Sequence, residues 1–242
     1  IGKFKYLKQT PLVGDFVEID KENLVIKKIL PRKNELIRPP VCNVDTAVIL
    51  TSCKEPEFSS NLLDKMLCIV EFNNIKPIIC LTKLDLLDNN ELEEINKYID
   101  YYKSIGYDVI INTELDKLKA LIKGKINVFT GQSGAGKSTL LNKLDSGLNL
   151  KTDEISLALN RGKHTTRHTE LINVCDSWIA DTPGFSSLEF TSMTNSDIRD
   201  NFTEFNEYKD DCKYKDCMHN LEDVCEIKNK VNDNTILKSR YE

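Results

Sequence analysis

The sequence predicts a doubly wound α/β domain on a parallel β-sheet, with a small β segment before it and a small helical segment after it. Short apolar runs rich in Val and Ile alternate with helical patterns between residues 44 and 181. A glycine-rich loop follows one of these runs and leads into a helix. Such alternation indicates parallel strands joined by right-handed crossovers.

Residues 1–40 predict small β structure. Two short alternating runs, GDFVEID and NLVIKKIL, are bounded by turn residues, and the segment is too short to close a barrel alone. It carries nine Lys and Arg against five Asp and Glu, so a polyanionic partner would meet this end first. A solvated basic face explains the same charge equally well.

Residues 41–190 predict the α/β domain. The runs that predict its strands are VDTAVILTS, KPIICLTK, YDVIIN, KINVFT, LINVC and SWIADTPG. Helical patterns lie between them, over 59–73, along ELEEINKYIDYYKSIG and ELDKLKALI, and after the glycine-rich loop. Gly106 is placed to end the second of these helices.

The composition and the short apolar runs predict a protein that does not span a membrane. Hydrophobic residues make up 40% and charged residues 29% of the chain, and no apolar run approaches the roughly 18 residues that span a bilayer. The basic start, IGKFKYLKQT, lacks the apolar core of a signal peptide. Four of the five cysteines outside residues 212–225 sit in apolar stretches, as reduced thiols do. We therefore expect a cytoplasmic monomer with no membrane partner.

The stretch GQSGAGKSTL satisfies the phosphate-binding pattern G-x-x-x-x-G-K-[ST] in full. Its glycines let backbone amides turn toward phosphate oxygens, and the helix that follows adds partial positive charge at its N-terminus. Lys137 is expected to reach the β and γ phosphates, and Ser138 to ligate Mg²⁺. A ligand-free turn is the alternative. The predicted nucleotide contacts in this loop are Gly131, Gln132, Ser133, Gly134, Ala135, Gly136, Lys137, Ser138 and Thr139.

An acid ends the last predicted strand, in the stretch WIADTPG. Asp181 is placed to hold Mg²⁺ through water, and the amide of Gly184 to contact the γ-phosphate. The same four residues, DTPG, also make an ordinary turn. Their position about fifty residues after the phosphate loop favours the interpretation that they sense the γ-phosphate.

The stretch TKLD follows a buried strand and resembles the base-reading motif Asn-Lys-x-Asp. Asp85 can accept hydrogen bonds from N1–H and N2–H of guanine, and adenine would leave this carboxylate unpaired. The stem of Lys83 can lie along the purine plane. Thr82 replaces Asn, which keeps a hydroxyl but shortens its reach. The predicted base-binding residues are Thr82, Lys83, Leu84 and Asp85.

The order of these motifs is reversed. In an ordinary GTPase the base motif follows the phosphate loop, whereas here it comes first. A parallel sheet tolerates this rotation if its natural ends can be joined. We expect the base-motif strand beside the phosphate-loop strand and the residues INT, 111–113, against the base. The sequence therefore predicts a circularly permuted P-loop GTPase domain that binds GTP and GDP with Mg²⁺.

A metal cluster is predicted near the carboxyl end. Cys212, Cys217, His219 and Cys225 supply three thiolates and one imidazole. Four soft ligands with no open position predict one structural, tetrahedral Zn²⁺. In a segment this small and polar, the metal would substitute for a hydrophobic core. Free surface thiols beside a chance histidine are the alternative.

Together these motifs resemble the circularly permuted small-ribosomal-subunit biogenesis GTPases of the RsgA type. The matching stretches, in order, are VGDFVEI, PRKNELIRPPVCNVD, LTKLDLL, GQSGAGKSTLLN, RGKHTTRHTEL, DTPGFSSLE and CKYKDCMHNLEDVC. The resemblance implies a partial OB-fold, RNA-binding domain over 1–40, the permuted GTPase domain over 41–190 and a helical zinc-binding domain over 191–242. It also implies GTP hydrolysis to GDP that is stimulated by the small ribosomal subunit and its rRNA, late in that subunit's maturation.

The stretch RGKHTTRHT occupies the place of switch I, where Thr165 or Thr166 could complete the Mg²⁺ shell. Many GTPases orient water with a Gln just after D-x-x-G, but this chain has Phe185 there. His164 is our candidate catalytic residue, since imidazole can orient or deprotonate water, and the resemblance supports it. His168 competes for the role, and His164 could instead contact rRNA phosphate.

Two other functions stay open at this stage. An ATPase or nucleoside kinase needs no guanine-reading carboxylate, so comparison of GTP with ATP binding separates it. A nucleotide-gated, non-catalytic rRNA-binding assembly factor is compatible with Phe185, and hydrolysis measured with and without small subunits separates it.

Overall fold

The structure is a computed structural model that describes residues 10–36, 40–148, 170–181, 190 and 193–242. Its strands are β1 Val17–Asp20, β2 Val25–Ile29, β3 Glu35–Leu36, β4 Val41–Cys42, β5 Thr46–Ser52, β6 Lys76–Thr82, β7 Asp108–Ile111, β8 Ile126–Gly131, β9 Glu170–Val174 and β10 Ser177–Asp181. Its α-helices are α1 Ser60–Phe72, α2 Asn89–Ser104, α3 Leu115–Ile122, α4 Lys137–Leu144, α5 Asn195–Asp200, α6 Phe205–Tyr208, α7 Glu226–Asn232 and α8 Lys238–Tyr241.

Six strands form the central sheet in the order β7-β6-β5-β8-β10-β9. All neighbouring pairs are parallel except β10 and β9, which are antiparallel. The parallel α/β sheet is confirmed, but the last pair departs from it. Only Cys175 and Asp176 separate these two strands, with φ of 49° and 57°. A two-residue turn with positive φ at both positions joins antiparallel strands, whereas a parallel pair needs a crossover.

The base-motif strand does not lie beside the phosphate-loop strand, so that expectation is wrong. β5 lies between β6 and β8 and is parallel to both. All seven residues of β5 are buried, which the central position explains because helices cover both faces of the sheet there. The two loops nevertheless meet above the end of β5, since Ser52 pairs with Thr82 and Leu50 with Gly131.

The sheet is covered by helices on both faces, as the doubly wound fold requires. Alternate residues of β5 enter two different cores. Ala47 and Ile49 pack in the core that includes α1 and α2, and Val48 and Leu50 in the core that includes α3 and α4. This alternation follows from the two-residue period of side chains along a strand.

Local signals fix where α2 begins and ends. Asp88 caps its N-terminus by accepting from the amides of Asn90 and Glu91, and the Glu91 side chain accepts from the Asp88 amide to complete a capping box. The helix ends at Ser104, and Gly106 follows with φ of 97°. Gly106 therefore lies where the sequence placed the end of this helix.

The first and last segments are small. β1 and β2 form an antiparallel hairpin, near which Arg32 donates to the Asp15 carboxylate at 2.7 and 2.9 Å. The last segment has a five-residue buried cluster: Phe205, Cys217, Cys225, Ile227 and Ile236. No helix in the described part of the chain has the length and apolarity to cross a membrane. The domain boundaries at 40 and 190 stay predictions.

Candidate nucleotide site and metal centre

The phosphate-loop residues leave the carboxyl end of β8 and enter α4. Gly131, Gly134 and Gly136 have φ of 150°, 79° and 88°, values that favour glycine. A Cβ on Gly131 would lie 2.2 Å from the Leu50 carbonyl oxygen, so the loop passes against β5. Gly136 precedes the first residue of α4, which places the helix N-terminus at the loop as the motif requires.

Two of the residues expected at the metal of the nucleotide, Ser138 and Asp181, belong to described elements next to this loop. Ser138 is in the first turn of α4 and is buried, with 6% of its surface exposed. Asp181 is the last residue of β10, which is parallel to β8, so its backbone lies at the same edge of the sheet as the loop. The Asp181 side chain, Gly184, His164, Thr165 and Thr166 lie outside the described residues, and their roles stay predictions.

A hydrogen bond joins the two reversed motifs. The hydroxyl of Thr82 donates to the backbone carbonyl of Ala135 at 2.8 Å, and the two residues are 1% exposed each. Fifty-three residues separate them along the chain. The base motif and the phosphate loop are therefore adjacent, as one nucleotide spanning both would require.

The rest of the base motif turns away from β6 at once. Lys83 has φ of 60°, and its Nζ donates to the carbonyl of Glu55. Asp85 follows in a short 3₁₀ turn, Leu84–Leu86, and is exposed. This exposed carboxylate follows Thr82, which bonds to the phosphate loop, by three residues and is available to a ligand. The Asn112 amide, in the INT stretch, donates to Leu81 at 2.9 Å, which holds that stretch next to the base-motif strand.

The loop between β5 and α1 is a part of the site that the sequence did not indicate. It supplies the Glu55 carbonyl to Lys83, and its Pro56 lies 3.5 Å from where a Cβ on Gly134 would be. Lys54 donates to both carboxylate oxygens of Glu91, at 2.9 and 2.7 Å. This loop therefore links the phosphate loop, the base motif and the start of α2. The signal available was its position after a strand of the central sheet.

The predicted metal ligands come together in the last segment. One ligand atom from each of Cys212, Cys217, His219 and Cys225 lies within 4.8 Å of the others. The Cys212 and Cys225 sulfurs are 4.0 Å apart, and His219 Nδ1 lies 3.6 and 3.4 Å from them. A tetrahedral Zn²⁺ with bonds of about 2.3 Å to sulfur needs sulfurs about 3.8 Å apart. The cluster can therefore hold a metal ion of this kind.

The electrostatics of the cluster fit the same donor set. Burial lowers the pKa of His219, so its imidazole is neutral and able to ligate. Burial raises the pKa of Cys217 to about 12, so this thiol keeps its proton unless a cation is beside it. A divalent cation held by these residues would supply that charge and would favour the thiolate forms.

Comparison with known proteins decides the family. The sequence model of the family described as RsgA GTPase matches residues 29–191. This chain belongs to the RsgA GTPase family. The RsgA family match spans all strands of the central sheet and both reversed motifs.

RsgA proteins and solved structures resemble the chain along almost its whole length. The small ribosomal subunit biogenesis GTPase RsgA of Bacillus subtilis (strain 168) is 47% identical, over 100% of this chain and 84% of that protein. The protein of the same name from Latilactobacillus sakei subsp. sakei (strain 23K) is 46% identical, over 99% and 84%.

Two solved structures share the fold. YjeQ from Thermotoga maritima is 32% identical with a TM-score of 0.86, over 100% of this chain and 84% of that one. YloQ, described as a circularly permuted GTPase, is 39% identical with a TM-score of 0.82, over 98% and 79%. The RsgA fold of this chain is thus the permuted GTPase fold that the motif order predicted.

Proposed function

We propose that this protein hydrolyses GTP to GDP and phosphate and acts in the late maturation of the small ribosomal subunit. Membership of the RsgA family supports the enzyme class. The observation that supports the proposal is the hydrogen bond between Thr82 and Ala135, because it joins the stretch that we propose reads guanine to the loop that we propose holds the phosphates.

The nucleotide binds between the loops in this proposal. Amides of residues 131–136 and the N-terminus of α4 hold the phosphates, Lys137 pairs with them, and Asp85 accepts the two guanine N–H groups. Ser138 and Asp181 would hold Mg²⁺, with Thr165 or Thr166 as a further ligand, and the ion would neutralise phosphate charge.

Hydrolysis needs a group that orients water, and His164 is the proposed one. Phe185 stands where many GTPases have Gln and can neither donate nor accept a hydrogen bond for this purpose. If the small ribosomal subunit positions His164, the enzyme alone would hydrolyse GTP slowly.

The cysteine–histidine cluster binds one structural Zn²⁺ in this proposal, with Cys212, Cys217, His219 and Cys225 as ligands. The donor atoms lie within 4.8 Å of one another, and the sulfurs of Cys212 and Cys225 are 4.0 Å apart, which supports this choice. The partners we propose are GTP, GDP, the small ribosomal subunit and its rRNA, and the protein acts as a cytoplasmic monomer.

Hydrolysis of GTP with and without small ribosomal subunits tests the proposal. We expect slow turnover alone and a large acceleration by the subunits. His164→Ala should remove most of the stimulated rate and leave GDP binding intact, while His168→Ala keeps the rate. Absence of stimulation in the wild type would favour a nucleotide-gated assembly factor that binds rRNA without catalysis.

A further inference from the structure

Arg240 is the centre of a buried group of charges. Its Nε and Nη2 donate to the two carboxylate oxygens of Glu204, both at 2.7 Å, and its Nη1 donates to Asp64 at 3.0 Å. The side chains of Arg240, Glu204 and Asp64 are 1%, 2% and 5% exposed. The Tyr102 hydroxyl donates to the same oxygen of Asp64 at 2.6 Å. We name Arg240, Glu204 and Asp64 the latch.

The latch joins the metal-bearing segment to the sheet-covering helices. Asp64 lies in α1 and Tyr102 in α2, whereas Glu204 precedes α6 and Arg240 lies in α8. Further polar contacts, such as Tyr107 with Thr203 at 3.3 Å, cross the same interface. The segment after residue 193 is therefore held against α1 and α2 by specific bonds.

Two residues next to the latch contact a predicted metal ligand. The Tyr241 hydroxyl, one residue after Arg240, donates to the His219 carbonyl at 2.6 Å. The Phe205 ring, one residue after Glu204, packs edge-on against the His219 ring with centroids 5.9 Å apart. Arg240 and Glu204 are thus each followed in the sequence by a residue that contacts His219.

The other side of the latch leads to the nucleotide loops. α1 begins just after the loop whose Glu55 carbonyl holds Lys83, and α2 begins three residues after the 3₁₀ turn that contains Asp85. A helix transmits displacement at one end to the other, since its backbone bonds make it stiff. The two helices that the latch holds therefore follow directly the loops that contain Glu55 and the proposed guanine-reading residues Lys83 and Asp85.

Burial of the charged groups of the latch carries a desolvation penalty that offsets much of their attraction. The latch buries two carboxylates against one guanidinium, and one oxygen of Asp64 has no hydrogen-bond partner among the described residues. Burial raises the pKa of Asp64 to about 6. Apolar residues of similar size often stabilise such a position equally well, so what the charges add is a fixed docking geometry.

We propose that Arg240 is a positioning residue that couples metal binding at the cysteine–histidine cluster to guanine-nucleotide binding. The metal fixes His219, and Tyr241 and Phe205 then hold Arg240 and Glu204 against α1 and α2. Because such coupling is reciprocal, metal loss weakens nucleotide binding and bound nucleotide slows metal loss. The inference rests on the proposed function for its nucleotide and its metal.

The test measures GDP affinity of the whole chain before and after chelation of Zn²⁺. In the wild type we expect chelation to raise the Kd for GDP about tenfold. Lys238→Met is the matched control, because Lys238 lies on the same helix with its side chain 77% exposed, and it should keep the wild-type ratio. Arg240→Met should bring the ratio of the two Kd values close to one. Saturating GDP should slow Zn²⁺ release in the wild type and in Lys238→Met only.

A second variant guards against misfolding, since Arg240→Met alone leaves two buried carboxylates uncompensated. The triple change Asp64→Asn, Glu204→Gln and Arg240→Met removes every charge of the latch, and circular dichroism and Zn²⁺ content verify its fold. It should also lose the coupling. Two results would overturn the proposed coupling alone. One is a Kd for GDP that chelation does not change in the wild type, and the other is a wild-type ratio of the two Kd values in the triple variant. No GDP binding by Zn²⁺-loaded wild type overturns the proposed function as well.

Discussion

At the scale of residues, the hydroxyl of Thr82 joins the base motif to the phosphate loop. The motif pattern placed Thr82 in the base-binding loop, and its short side chain suggested a reach shorter than that of Asn. The hydroxyl reaches the Ala135 carbonyl at 2.8 Å because the two loops meet above the end of β5. That closeness depends on packing between distant segments, which residue spacing does not report.

Thr82→Val should weaken GDP binding. The change keeps the shape but leaves the buried Ala135 carbonyl unpaired, at a cost of about 1–3 kcal/mol shared between folding and binding. We expect the Kd for GDP to rise about three- to tenfold in a titration with a fluorescent GDP analogue.

Thr130→Val is the matched control for that change. Thr130 is equally buried, and its hydroxyl has no hydrogen-bond partner among the residues described. Its substitution should leave the Kd for GDP near the wild-type value. Equal affinities for Thr82→Val and Thr130→Val would mean that the bond between the loops does not support nucleotide binding.

At the scale of elements, periodicity predicted the strands of the central sheet and the helices that cover it, but not every neighbour relation. The pairing of β9 with β10 depends on a two-residue turn whose residues, Cys175 and Asp176, are not the usual Asn-Gly or Asp-Gly. The central place of β5 was likewise not predicted, although its continuous apolar run indicated burial on both faces. Strand order is set by which faces helices cover, and local pattern does not contain that information.

The phosphate loop should tolerate no side chain at its first glycine. In Gly131→Ala the new Cβ would lie 2.2 Å from the Leu50 carbonyl, at a φ of 150°. Gly124→Ala is the control, since φ there is 69° and nothing lies within 4 Å. Urea unfolding should show a loss of about 3 kcal/mol or more for Gly131→Ala and about 1 kcal/mol for Gly124→Ala. Equal losses would contradict the close approach of this loop to β5.

Metal removal should unfold the last segment before the rest of the chain. Two of its five core residues, Cys217 and Cys225, are themselves predicted ligands, so loss of the metal weakens the segment's own small core. A chromogenic chelator should release about one Zn²⁺ per chain, and Cys217→Ser should abolish Zn²⁺ binding while Cys175→Ser, outside the cluster, retains it. A chelated protein whose last segment still resists proteolysis would refute the structural role of the metal.

At the scale of the whole molecule, motif order was sufficient to predict the permuted fold, because each motif has its own chemical signature. The three residues of the latch form no motif that the sequence reveals. Asp64, Glu204 and Arg240 are separated by up to 176 residues, and each looks like an ordinary solvated charge on its own helix or turn. Only the docking of the last segment against α1 and α2 makes them partners.

Two motifs in reversed chain order are proposed to bind one guanine nucleotide, and a change of base specificity tests this most directly. Subunit-stimulated hydrolysis of GTP and of xanthosine triphosphate should be compared in the wild type and in Asp85→Asn. The wild type should prefer GTP, and the variant should prefer xanthosine triphosphate by about tenfold or more, because the amide can donate to the xanthine oxygen but repels the guanine amine. An unchanged preference for GTP in Asp85→Asn would contradict the assignment of the base motif.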